Sequence, residues 1–243
     1  MQLAGIDLAW RSNKNPTALA IGSFKGGELE LTAIAKGLFG VETIVTYLNN
    51  LPDLYGIAID GPLIIENCLG QRKCETLIGQ EYGSRHASCH TSNLTMFPKA
   101  DSVQLSRVLA MQGFQHLGVA NERWQIECYP HPALIEIFDL EVRHQYKKGP
   151  VSSKMRGQCE LAELLFKLAD SPVLRLSVPD VLSQPLRLHH IESLSGAALK
   201  QNEDILDSIV CLYVAGLYAI GTSDKVFGDA SDGYIYVPRL KCI

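Results

Sequence analysis

The feature that most constrains this chain is a change of period between residues 2 and 59. Gln2 to Ala9, Thr17 to Phe24 and Glu28 to Ala35 are short apolar segments, and Lys25-Gly26-Gly27 between the last two is a tight-turn signal. They predict three antiparallel strands in a meander. Val41, Ile44, Val45 and Leu48 then recur at the spacing of one helical face, and Tyr55 to Ile59 reads as a buried strand. A meander that gives way to a helix and a further strand predicts an α/β fold around a mixed sheet.

The same pattern continues with a helix expected from about Ser102 to Leu117 and a strand from Trp124 to Cys128. A helix from Pro132 to Phe138 follows, opening on a proline that the first helical position tolerates. The expected sheet is therefore five-stranded, with three meander strands, two parallel strands and helices on both faces. The polar stretches at about 61–101 and 141–202 read as insertions over that sheet. The second holds a helix from Met155 to Leu168 and a proline-rich loop from Pro172 to Pro185. Asp204 to Ile220 is apolar almost all round and predicts a buried helix, followed by a Gly/Asp turn and a short segment from Tyr234 to Val237. With 243 residues and an evenly spread 47% apolar content, residues 1–243 read as one domain.

Carboxylates interrupt this apolar pattern where they are costly. Asp7 lies in Leu3-Ala4-Gly5-Ile6-Asp7-Leu8, Asp60 ends Gly56-Ile57-Ala58-Ile59-Asp60, and Glu127 sits in Trp124-Gln125-Ile126-Glu127-Cys128. An ionised acid on a buried strand needs a partner. Asp204 and Asp207 stand three apart on the last helix and project from nearly one face. Converging acids repel one another unless a cation neutralises them, and an all-oxygen set suits Mg2+ or Mn2+ rather than zinc. Such a site fits phosphodiester hydrolysis. Taken singly, each acid also has a plain structural use: a strand-end Asp serves turns and caps, and Asn202 or Asp204 is placed to cap the last helix, with Asp207 favouring its dipole.

Cations suited to phosphate oxygens accompany the acids, among them Arg72 and Lys73, Arg85, Lys99, Lys147 and Lys148, Lys154 and Arg156. His131, in Tyr129-Pro130-His131-Pro132, is placed to orient water or protonate a leaving group, or else to pack or cap a helix. His86, Cys89 and His90 would share a face if their segment were helical, a set of zinc-capable ligands without a fourth. Trp10, followed by Arg11, is suited to stack on a base or to pack under its loop. The net charge of -4 argues against a protein that coats nucleic acid by charge alone. Seven cysteines, at 68, 74, 89, 128, 159, 211 and 242, form no close CxxC pair, which fits free thiols in a reducing cytosol. No stretch reads as a membrane span or a secretory signal, so the expected location is cytoplasmic.

The segments GIDLAW, AIDGPL, ECYPHP and EDILDSIVCLYVA, in that order, resemble the family called domain of unknown function 429. NCLGQRKCE, with Asn67, Arg72, Cys74 and Glu75, extends the likeness, as do Tyr146-Lys147-Lys148 and the closing Gly233 to Pro238. That family is regarded as predicted nucleases with an RNase H-like fold. The resemblance implies a metal-dependent nuclease with acids Asp7, Asp60, Glu127 and Asp207, Asp204 standing as a substitute. The wider superfamily places its acids on the first strand, the fourth strand or following helix, and the final helix, which matches Asp7, Asp60 and Asp207 better than Glu127. Arg72, His131, Lys147 and Lys148 are then the expected contacts to a nucleic acid, DNA or RNA. Two other readings share the fold. One is a binding module without catalysis; the other is an actin-like ATP-dependent phosphotransferase, disfavoured because no glycine-rich phosphate loop is present.

Overall fold

The computed structural model describes residues 1–10, 15–119, 122–222 and 224–240; Arg11 and Cys242 lie outside them. The meander forms where alternation predicts it, as β1 (Gln2–Asp7), β2 (Thr17–Lys25) and β3 (Glu28–Leu38), with antiparallel β1/β2 and β2/β3 pairing. Helix α1 (Gly40–Asn49) buries Val41, Ile44 and Leu48, the residues whose spacing announces it. The chain then enters β4 (Leu54–Asp60), parallel to β1. Next come α2 (Lys73–Tyr82), α3 (Asp101–Met111), β5 (Gln115–His116), β6 (Trp124–Cys128) and α4 (Pro130–Ile137). The remainder comprises α5 (Val151–Lys167), β7 (Arg175–Ser177), α6 (Leu188–Glu192), α7 (Gly196–Ala219), β8 (Asp224–Asp229) and β9 (Gly233–Pro238).

Among the described residues the sheet has nine strands rather than the five expected, in the order β7-β3-β2-β1-β4-β6-β9-β8 with β5 beside β6. The expected five lie together at its centre. Of the others, β5 and β7 are short and β8 lies at an edge. β5 is two residues long, β7 pairs Arg175–Ser177 with Glu28–Glu30 inside the proline-rich loop, and β8/β9 is a terminal hairpin tied to β6 through Cys128 and Tyr236. β5 and β7 carry too few residues to register as strands, whereas β8 and β9, six residues each, include the Tyr234 to Val237 segment expected only as a short terminal stretch.

Strand parity divides the core between two faces. Leu3, Ala58, Ile126 and Cys128 pack with α7, whereas Ala4, Ile6, Ile57 and Ile59 pack with α1 and α3. Gly5 lies on the α7 face, where a Cβ would stand 2.0 Å from the Leu212 backbone nitrogen and 2.3 Å from the Ser208 carbonyl oxygen. Only glycine permits that approach. It draws the middle of α7 onto β1, and so sets the helix's acids over the end of that strand.

Helix α7 starts at Gly196, more than two turns before the expected Asp204. Asn202, Asp204 and Asp207 are therefore interior residues, all buried, and the capping explanation for them falls.

Candidate functional site

Asp7 and Asp60 are direct partners across the parallel β1/β4 pair, both at the C-terminal ends of their strands. Parity puts them on the α7 face, continuing the rows of Leu3 and Gly5 and of Ala58. Cys128 is the next residue in this row across β6, and its Sγ lies 3.5 Å from Cys211 Sγ on α7. Above the row, Asp207 accepts a hydrogen bond from the Tyr146 hydroxyl at 2.5 Å on Oδ1 and meets the Lys147 ammonium at 2.8 Å on Oδ2. Asp204, one turn earlier, pairs with Lys200 at 2.8 Å.

The electrostatics follow from burial and crowding. Burial pushes the Asp7 carboxyl well above the usual carboxylate range, and Asp207, Asp60 and Asp204 push it further, against the opposing pull of Lys147. Burial likewise raises Asp60, to about 7; Lys147 works against this while Asp207 and Glu127 add to it. For Lys147 burial disfavours the charge, but Asp207, Tyr146, Asp60 and Asp7 together hold the ammonium firmly protonated. Lys147 thus serves three converging aspartates, and Lys200 adds to its pull on Asp60.

Glu127 is placed differently. Its register partner on β4 is Ile59, not Asp60, so it points to the opposite face of the sheet. There Arg72 grips it with both terminal nitrogens, at 2.9 and 2.6 Å, and the Leu63 amide donates to it at 2.9 Å. Arg72 Nε also donates to Glu75 Oε1 at 2.8 Å, and its Nη1 to the Ile64 carbonyl at 3.0 Å. Burial disfavours the guanidinium charge, but Glu127 outweighs it and raises Arg72 above its ordinary value. Sequence reasoning groups Glu127 with the aspartates; one residue of register removes it from them. Glu75 and Tyr146, both buried partners here, carry no local signal of their role.

A cleft of about 370 Å³ opens at these strand ends. Arg72, His131, Lys147 and Lys148, the four residues expected to contact substrate, all line it. Asp60 and Glu127 also reach its wall, whereas Asp7, Asp204 and Asp207 do not. Lys147 is thus a wall residue that reaches back to a carboxylate lying outside the wall. His131 stands edge-on to Tyr129 and Tyr146, with centroids 5.7 and 5.6 Å away, and its Nδ1 is buried without a hydrogen-bond partner among the described residues. Burial, aided by Lys147 and Arg143, depresses its pKa to about 2, so it is neutral at any working pH. It is suited to a hydrogen bond and not to giving up a proton. Trp10 lines the cleft and packs edge-on against Phe97 at 4.7 Å.

His86, Cys89 and His90 follow α2 in turn and coil, His86 with a positive φ of 62°, so they share no helical face. Among the described residues no three His, Cys, Asp or Glu side chains are spaced to hold a metal ion, these included. The cation held by the aspartates is instead Lys147. Cys68, Cys74, Cys89, Cys128, Cys159 and Cys211 are free thiols. No described helix is long and apolar enough to cross a membrane. The sequence matches the family described as a protein of unknown function, DUF429, over residues 5–232. No curated protein and no solved structure matches it.

Proposed function

The chain belongs to the DUF429 family of proteins of unknown function, and we propose that it is an RNase H-like nuclease that hydrolyses nucleic-acid phosphodiesters at Asp7, Asp60 and Asp207. The observation that carries this reading is the paired Asp7/Asp60 row beneath Asp207, three acids with one ammonium, beside a cleft walled by cations. Acids on the first strand, the fourth meander-adjacent strand and the final long helix also follow the superfamily's placement. A structural role alone leaves that much mutual repulsion unexplained.

The donor set fits a hard divalent ion by its chemistry: carboxylate oxygens only, on strand ends and a helix that packing holds together. Asp7, Asp60 and Asp207 would hold Mg2+ or Mn2+, with Asp204 adjacent. When bound, such an ion supplies Lewis-acid polarisation of a phosphoryl oxygen. Lys148, exposed on the cleft wall, and Arg143 bind the phosphate backbone. Neutral His131, in its Nδ1–H tautomer, donates to a substrate or water oxygen. Arg72 is committed to Glu127, Glu75 and Ile64, so it braces the cleft and contributes little to binding.

Incubating the protein with Mn2+ and single-stranded, duplex and hybrid DNA and RNA tests the reading. The wild-type chain cleaves at least one, and Asp7→Asn abolishes cleavage with the melting temperature preserved or raised. Cleavage that survives Asp7→Asn, or that no substrate shows, overturns it. The Lys147–Asp207 pair favours a second reading, a module that binds nucleic acid without turnover. Binding without cleavage in the same assay would select it.

A further inference from the structure

Lys147 joins two environments. Its side chain is 24% exposed and lines the cleft, while its ammonium sits 2.8 Å from Asp207 Oδ2, a carboxylate that is 1% exposed. The residue before it is anchored: Tyr146 is fully buried and its hydroxyl is bound to Asp207. The backbone is therefore pinned at residue 146, while the four-carbon stem of Lys147 has rotatable bonds enough to reach either the acids or the cleft it lines. Lys148 stands exposed beside it on the same wall.

We propose that Lys147 is an exchangeable internal cation: it neutralises Asp7, Asp60 and Asp207 in the metal-free state, and a divalent ion entering the cluster displaces its ammonium into the cleft, where it contacts a substrate phosphate. This rests on the reading of the cluster as a divalent-metal site. An ammonium and a divalent ion cannot share the same carboxylate oxygens, because their repulsion at contact distance is large in so buried a place. Exchange also couples the two ligands. Metal entry frees a cation for phosphate, and phosphate binding holds that cation away from the metal site, so each ligand tightens the other by the same factor.

The test is Mn2+ titration of the full chain, followed by electron paramagnetic resonance, for wild type, Lys147→Met and Lys147→Arg, each with and without inorganic phosphate. Lys147→Met, which keeps the length and loses the charge, should bind Mn2+ about tenfold more tightly than wild type and lose the tightening by phosphate. Lys147→Arg should stay near wild type. Should Lys147→Met not fold, amine-specific acetylation of the wild-type chain reads the same exchange, since Lys147 should become several-fold more reactive when Mn2+ is added. Mn2+ binding that Lys147→Met leaves unchanged or weakens, or Lys147 reactivity that Mn2+ does not raise, overturns the exchange and leaves the metal site standing. No Mn2+ binding by any of the three proteins overturns both.

Discussion

Two carboxylate clusters lie at the same end of the sheet, and they are built on opposite principles. On the α1/α3 face, Glu127 and Glu75 close around Arg72, whose planar fork meets carboxylate and carbonyl oxygens together. On the α7 face, Asp7, Asp60 and Asp207 face one lysine ammonium on a flexible stem. The first is a network whose charged groups already have partners within the protein. The second keeps Asp7 and Asp60 in the protonated direction around a lysine on a flexible stem; on the function proposed above, it differs from a brace in awaiting a cation.

The contrast breaks most visibly through the brace. Arg72→Met leaves Glu127 and Glu75 buried without a counter-charge and should cost about 3–5 kcal/mol in chemical denaturation; a loss below about 1 kcal/mol would remove the brace from the account. Gly5→Ala should cost about 1–3 kcal/mol by forcing α7 off β1. Because that shift separates Asp207 from Asp7, it should also weaken Mn2+ binding and leave the Arg72–Glu127 pair intact, which a crystal structure of the variant would show.

On the other face the sign reverses. Asp60 has its pKa raised to about 7, so between the ordinary carboxylate value near 4 and about 7 the folded state holds a proton that the unfolded chain has released. Stability falls as pH rises through that window. Asp60→Asn removes the fall, and in the presence of a chelator it should exceed wild type by about 1–2 kcal/mol at pH 8, scaled down for partial exposure, and match it near pH 4. A variant less stable than wild type at pH 8 would make the acid row structural. The smallest effect belongs to Lys148→Ala. Being exposed, it should leave stability within about 0.5 kcal/mol of wild type, yet weaken nucleic-acid binding and flatten its salt dependence by roughly one phosphate contact.

Much of this was legible in the chain. Short apolar runs located the five central strands, the helical spacing of Val41, Ile44 and Leu48 located α1, and Asp7, Asp60 and Asp207 stood out as charges in apolar surroundings. What stayed hidden needs distant partners to be seen. Glu127 looks like the aspartates in sequence because strand parity has meaning only once the β4/β6 register is known. The Arg72–Glu127 pair spans residues 55 apart, and nothing local joins them. The first turns of α7, Gly196 to Asn202, are too polar to read as part of a buried helix, so Asp204 looked terminal when it is interior. Neither Lys147 nor His131 announces its surroundings; an exposed-looking lysine proves to be the counter-charge of the cluster, and a titratable histidine proves neutral.

The most direct test of the central claim is anomalous diffraction from a crystal soaked in Mn2+. The account predicts a manganese peak bounded by Asp7, Asp60 and Asp207 with the Lys147 side chain turned away from Asp207. A peak at Glu127 with Arg72 displaced, or none at the aspartates with Lys147 still paired to Asp207, would contradict it.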